Sequence, residues 1–289
     1  MIKVTEICSM HNSNWYNLNG KFFLETENHL SINNRSLRYG DGFFETMKLQ
    51  KNNIKLFHLH SARILKSLLL LKLQLPKHFS LEKLEEQIIV TAQKNNHENL
   101  ARIRVMFFRA EGEIFDANNH QVQIMIQSFK LSDAINELNK NGLVVDVFKD
   151  AKKSCDVFSN LKTNNYLPYV MGAIWAKENH LNDALILNFS EFIADSCIAN
   201  VFLVKDNKII TPSLKSGCIA GVMRQHIIQQ LQQINIDVEE KSISVEDVLN
   251  ADEVFLTNAI KGISWVKQCG NTSYQNSKTQ EIYRKIFAV

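Results

Sequence analysis

The chain has 289 residues, 45% hydrophobic and 22% charged, with Lys plus Arg at 33 against Asp plus Glu at 30 for a net charge of +3. That length exceeds what one core ordinarily serves and predicts two domains of roughly 150 residues each. The small, scattered excess of positive charge argues against a nucleic-acid partner, and no stretch reaches the ~18 uninterrupted apolar residues of a membrane span.

Met1 to Met10 carries Lys3 and Glu6 and lacks the apolar run of a secretory signal. Strands are predicted at Phe22-Phe23-Leu24 and at Phe43 to Leu49, then a turn at Asn52-Asn53 into Ile54-Lys55-Leu56-Phe57. Ser61 to Leu75 has helical apolar spacing and ends at Pro76; Lys66, Lys72 and Gln74 break its hydrophobic run. Leu81 to Lys94 is a second amphipathic helix, with Leu84, Ile88, Ile89 and Ala92 on one side. Ala101 to Arg109 and Val122 to Phe129 read as strands. The polar stretch 130–141 is the linker between an N-terminal domain, 1–129, and a C-terminal domain, 142–289.

The second half opens on a strand, Leu143 to Lys149, and a helix follows Lys162 from Asn164 to Trp175, with Pro168 near its start, where a missing amide costs little. Ala184-Leu185-Ile186-Leu187 is a buried strand by composition. Asn200 to Lys205 and Lys208 to Thr211 form a hairpin around Asp206-Asn207. Gly221 to Ile234 and Val245 to Asn250 are helical, and Ile236 to Ile243 and Asp252 to Thr257 are strands. The five cysteines (Cys8, Cys155, Cys197, Cys218 and Cys269) are widely spaced with no CxxC pair. They read as free thiols in a reducing cytoplasm, and neither as a disulfide frame nor as a metal site.

Several segments carry candidate chemistry. Lys162 sits at a junction between a mixed run and a helix, near Asn165 and Tyr166, where an amine can serve as a nucleophile. It is equally readable as a surface lysine, and Tyr166 as a core aromatic. Asp195, just before the hairpin, is either a partner for a protonated ring nitrogen or a turn cap. Ser216 to Arg224 places glycines before a helix, a form that binds phosphate through backbone amides, or an ordinary flexible loop. Phe255 to Gly262 is a strand ending in a small polar turn. Arg63 is a phosphate clamp or a solvated helix arginine.

Taken in order, these segments resemble the class IV (fold type IV) pyridoxal-phosphate aminotransferases and lyases, from about Asn34 to Val266. Tyr39-Gly40-Asp41-Gly42-Phe43-Phe44-Glu45-Thr46 is similar to the family's YGDG-x-FET signature, and Leu161 to Leu167 to its Schiff-base lysine segment. Asn200-Val201-Phe202 matches its N-[IV]-F strand. The resemblance implies a mixed α/β fold of α+β type, with a smaller N-terminal α/β domain and a larger C-terminal barrel-like domain. It implies pyridoxal 5'-phosphate as cofactor and Lys162 as the catalytic lysine. Arg63, Tyr166, Asp195, Val222, Met223, Asn258 and Ala259 would join Lys162 in binding the cofactor. Asp195 is a departure, because the family usually has glutamate there.

Tyr39 and Phe43 are expected to line the substrate pocket on the same resemblance, and Arg109 to bind a substrate carboxylate or form a structural ion pair. The implied assembly is a homodimer with the active site near the interface. Ala220-Gly221-Val222-Met223-Arg224-Gln225 is similar to the form typical of aminodeoxychorismate lyase, which makes 4-aminobenzoate and pyruvate for folate synthesis. A D-amino-acid or branched-chain aminotransferase is the enzyme alternative, and a catalytically silent cofactor- or metabolite-binding homologue the other; the presence of Lys162 argues against the latter.

Overall fold

A computed structural model describes residues 14–27, 29–112, 114–115 and 119–287; the Met1 to Met10 segment and Cys8 lie outside the described residues. The fold is mixed α/β, built on two sheets. The first contains β1 (Trp15–Leu18), β2 (Lys21–Leu24), β3 (Gly42–Gln50), β4 (Asn53–Ile54), β5 (Leu100–Arg109) and β6 (Val122–Lys130). Its order is β2-β1-β6-β5-β3-β4, antiparallel throughout. A short helix, α1 (Arg35–Tyr39), precedes β3, and α2 (Phe57–Leu70) and α3 (Leu81–Lys94) cover one face of the sheet.

Side chains on a strand alternate between faces. In β3, Phe43, Met47 and Leu49 therefore join the core under α2 and α3, while Phe44 and Thr46 face the other way. The α3 boundaries match the sequence reading because the cap is explicit: the Ser80 side chain accepts from the Lys83 amide. The second helix instead starts at Phe57 and stops at Leu70, earlier than the apolar spacing predicts at both ends. Leu56 at φ 57 and Lys72 at φ 53 turn the chain at either end, so Pro76 is not the stop.

The second sheet is mixed and curled. It contains β7 (Leu143–Lys153), β8 (Asp183–Asn188), β9 (Ile193–Ser196), β10 (Asn200–Lys205), β11 (Lys208–Pro212), β12 (Val238–Lys241), β13 (Glu253–Asn258), β14 (Gly262–Cys269) and β15 (Thr272–Ser273). Its order is β12-β11-β10-β13-β14-β7-β8-β9, with β15 on β14. Helices α4 (Leu167–Glu178), α5 (Val222–Gln233), α6 (Val245–Leu249) and α7 (Ser277–Phe287) surround it. Strand β10 is buried along nearly its whole length because both faces are covered. Val201 and Leu203 enter one core, and Phe202 and Val204 enter a second beneath α5 and α7.

The β10–β11 turn holds Asp206 at φ 49 and Asn207 at φ 61, the paired left-handed conformation that a two-residue hairpin favours. Strand β7 continues to Lys153, four residues past its predicted end, pairing Lys153 with Asn188 of β8. The helix after Lys162 begins at Leu167 because Asn164 is held instead by β3, its amide donating to the Gly42 carbonyl at 3.0 Å. The 130–141 stretch contains one 3-10 turn, Asp133–Asn136. Cys155 is exposed, and Cys197, Cys218 and Cys269 are buried and unpaired. Among the described residues no helix is long and apolar enough to cross a membrane.

Candidate active site

Residues of both sheets line a cavity of about 1010 Å³. The first sheet contributes Phe44, Thr46, Arg102, Arg104 and Met106; the second and its loops contribute Lys162, Tyr166, Asp195, Asn200, Val222, Met223, Thr257, Asn258 and Ala259.

Lys162 is fixed by β3. The Phe44 amide donates to the Lys162 carbonyl at 2.9 Å, and Phe43 bridges Thr163. Gly42 is required at this crossing, since an added Cβ would overlap the Phe107 carbonyl oxygen and crowd Asn164. The Lys162 Nζ donates to the Tyr166 hydroxyl at 2.9 Å and lies 4.7 Å from the Phe44 ring centre. Burial, reinforced by the neighbouring Arg63 guanidinium, lowers this amine to about 7, so a large share is neutral and nucleophilic near neutral pH. Burial and the Asp195 carboxylate push the Tyr166 hydroxyl up, which keeps it a proton donor.

At one end of the cavity the groups suit an anion. Arg63 projects from α2 and donates through Nη1 to the Ala220 carbonyl at 3.0 Å. Glu45 orients it, with Nε to Oε1 at 2.7 Å and Nη2 to Oε2 at 2.6 Å. His60 Nδ1 adds a contact to the same carboxylate at 2.7 Å. Burial alone would raise the Glu45 carboxyl, but Arg63 and His60 override it and hold it down at about 2. Helix α5 starts at Val222 with no side chain capping it, and its N-cap is Gly221, where a Cβ would overlap Asn200 Oδ1. Thr257 Oγ1 is buried with no hydrogen-bond partner among the described residues. Asn258 Oδ1 accepts from the Ile260 and Lys261 amides, closing the turn after β13. Uncapped helix amides, a buried hydroxyl and a held guanidinium are groups that suit a phosphate.

Asp195 lies elsewhere on the wall, 2% exposed. Its Oδ1 accepts from Asn200 Nδ2 at 2.8 Å, and Oδ2 from Tyr169 hydroxyl at 2.8 Å, the Ile219 amide at 3.0 Å and Lys153 Nζ at 3.2 Å.

The family model described as "Amino-transferase class IV" matches residues 42–269. This chain belongs to the class IV aminotransferase family. Among curated relatives it is 25% identical to the aminodeoxychorismate lyase of Vibrio harveyi, over 82% of this chain and 86% of that protein. It is also 25% identical to a putative branched-chain-amino-acid aminotransferase of Methanocaldococcus jannaschii, over 93% of this chain and 92% of that one. A branched-chain aminotransferase structure from Thermoproteus uzoniensis, with norvaline, superposes at TM-score 0.84 and 23% identity, covering 95% of this chain and 93% of that chain. That similarity shows the fold, a mixed α/β architecture with a curled half-barrel sheet.

Class IV aminotransferases are enzymes dependent on pyridoxal phosphate, and the residues present fit that group. The Lys162 amine suits its aldehyde. The orphaned Thr257 hydroxyl, Arg63 and the α5 amides suit its phosphate, and Asp195 suits its ring nitrogen. Of the expected cofactor residues, Arg63, Lys162, Tyr166, Asp195, Val222, Met223, Asn258 and Ala259 all line the one cavity.

The residues expected to contact substrate do not line this cavity. Phe43 is fully buried and stacks on Phe107 at 4.7 Å on the opposite face of β3; its neighbour Phe44 faces the cavity. Tyr39, on α1, packs 5.3 Å from the Phe115 ring and is not a cavity-lining residue. Arg109 is the structural ion pair: it donates to Asp41 Oδ2 at 2.9 Å and to the Leu71 carbonyl at 2.7 Å, and it contacts His120.

Sequence reading missed Arg104, whose side chain lies 4.4 Å over the Phe44 ring with a buried, unpartnered Nε. The signal was present. Thr46 pairs with Arg104 across β3 and β5, so cavity-facing Thr46 puts Arg104 on the same face. Glu45, Lys153 and Tyr169 were missed because each acts through a partner distant in sequence.

Proposed function

We propose that this chain is a 4-amino-4-deoxychorismate lyase, releasing 4-aminobenzoate and pyruvate. The observation that carries this reading is the pair Arg102 and Arg104 on the cavity wall, neither of which has a carboxylate partner among the described residues. Burial, and Arg102 beside it, lower Arg104, so an anion at this wall would relieve both desolvation and repulsion. The proposed substrate carries two carboxylates and matches that charge. The Ala220-Gly221-Val222-Met223-Arg224-Gln225 segment and the Vibrio harveyi relative support the same reading.

Bound pyridoxal phosphate supplies a conjugated ring that takes up the electron pair left on the substrate carbon. The protein does the rest. Arg63, the start of α5 and the Thr257 to Ala259 turn would hold the phosphate, and Asp195 would hold the ring nitrogen. Lys162 Nζ would be the base that removes the ring proton from the substrate carbon bearing nitrogen. Loss of the enolpyruvyl group then aromatises the ring. The leaving group takes up one proton to become pyruvate, so no water or acceptor is consumed overall.

A branched-chain aminotransferase is the second reading, favoured by the apolar part of the same wall: Phe44, Met106, Phe108 and Met125. In that reaction Lys162 Nζ would hold the proton taken from the amino acid's α-carbon, and a keto acid would leave. Supplying aminodeoxychorismate separates the two. Pyruvate and 4-aminobenzoate in equal amounts, with no exchange between amino acids and 2-oxoglutarate, support the lyase; keto-acid exchange without pyruvate release refutes it.

We further infer a cytoplasmic homodimer whose two sheets are the cores of units 1–129 and 142–289. Ile32, Leu37 and Ile198 support an active site near the dimer interface, because each lines the cavity yet is 83%, 76% and 61% exposed in the single chain.

A further inference from the structure

Among the described residues Lys153 is the one lysine bonded to Asp195, and the sequence reading gives it no role. It ends β7 at 8% exposure, with Nζ 3.2 Å from Asp195 Oδ2 and 5.3 Å from the centre of the Tyr169 ring. Lysines are almost never buried unless a partner justifies the loss of hydration. The partner here is a carboxylate that faces the cofactor cavity.

A carboxylate has about four lone-pair positions. Oδ2 accepts from Lys153, Tyr169 and the Ile219 amide, while Oδ1 accepts from Asn200 alone. Oδ1 therefore keeps the free position. A ring nitrogen that donates to Asp195 must dock there, against a carboxylate whose charge an ammonium already balances from the other oxygen.

We propose that Lys153 is a positioning residue for the cofactor: it neutralises Asp195 from behind and so weakens the hold of the pyridine nitrogen on its proton. The proposal rests on the reading that Asp195 contacts that nitrogen. An electron sink weakened in this way suits an elimination driven by aromatisation, which needs less help from the ring than removal of a proton from an ordinary amino acid does. The shorter aspartate fits the same arrangement, since Tyr169 and Lys153 fill the space on its far side. The other titratable groups coupled to Asp195 are Lys162, Tyr166, Tyr169 and Cys218, from the β7–α4 connection, α4 and the loop before α5. None of them is a cation bonded to its carboxylate.

The test loads the full chain with pyridoxal phosphate carrying nitrogen-15 in the ring and follows that nitrogen's chemical shift against pH. In the wild type the nitrogen should lose its proton within the pH range where the protein stays folded. Lys153→Gln and Lys153→Met should move that loss upward by about one pH unit or more, and Lys153→Arg should restore the wild-type profile. A wild-type nitrogen that stays protonated throughout overturns the proposal without any variant. Unchanged profiles in the uncharged variants also overturn it. Asp195→Asn separates the two levels: if it leaves the ring signal untouched, the Asp195 contact itself is wrong. If it changes the signal while Lys153→Gln does not, only the role of Lys153 falls.

Discussion

Glu45 grips Arg63 through both carboxylate oxygens, at 2.7 and 2.6 Å, and so aims the α2 guanidinium at the anion-suited end of a cavity that α5 completes. Arg63 in turn donates to Ala220, which joins the first sheet's helix to the loop before α5. One ion pair therefore joins the two halves and, on the proposed reading, serves the cofactor as well.

Glu45→Gln should weaken both. Breaking a buried pair costs about 3–5 kcal/mol, so the melting temperature should fall and pyridoxal phosphate affinity should drop at least about tenfold. Thermal melts and cofactor titration followed by absorbance check this. The pH dependence has a definite sign. The folded carboxyl titrates at about 2, below its ordinary 4.5, so its contribution is present above 4.5 and is lost as pH falls toward 2. Wild-type stability should decline across that window, and the Gln variant should decline less.

Lys162 should behave as a depressed amine. In the cofactor-free protein it loses its proton near 7, and the unfolded chain holds that proton to 10.5. Stability attributable to this group therefore rises with pH between those values, and below 7 the full penalty of burying the charge remains. Lys162→Met should accordingly raise the apo melting temperature at pH 6. The rate of cofactor capture by the wild type should climb through pH 7 and then level off.

Arg104→Met and Arg109→Met should part company. Removing a charge-assisted contact to a substrate carboxylate costs about 1.5–3 kcal/mol, so Arg104→Met should lower kcat/KM about 10- to 100-fold with little change in melting temperature. Arg109→Met should lower the melting temperature, because Asp41 loses one of its two arginine partners and the Leu71 carbonyl loses its donor, and should leave cofactor affinity intact. Steady-state kinetics beside thermal melts would expose the reverse pattern.

Gly221→Ala tests the α5 entrance. Its Cβ would run into Asn200 Oδ1, and that amide cannot swing away freely because its nitrogen donates to Asp195 and to the Ile219 carbonyl, both at 2.8 Å. Cofactor affinity should fall in titration, and alanine is also a poorer helix N-cap than the glycine it replaces. Unchanged affinity would mean that Asn200 does not link the phosphate end to Asp195.

Elements whose signals are local were legible in the sequence. Helix α3 carries its own Ser80 cap, and the Asp206-Asn207 turn its own conformational preference. Legibility failed where long-range contacts decide. Asn164 and Asn165 carry helix-compatible spacing, yet Gly42 and Ser36 claim Asn164, and α4 waits until Leu167. The charged run Lys149 to Lys153 hides the end of β7, because nothing nearby in sequence announces that Lys153 turns inward toward Asp195. The site was readable as an ordered set of segments, and its cofactor residues converge. The cavity takes Phe44 where Phe43 was expected, since a two-residue period makes a single step a change of face.

The most direct measurement is borohydride reduction of the pyridoxal-phosphate-loaded protein, followed by peptide mass spectrometry. The reduced cofactor should be attached to Lys162 alone, and Lys162→Ala should carry none. Attachment to Lys153, or no covalent cofactor on the wild type, would contradict the site described here.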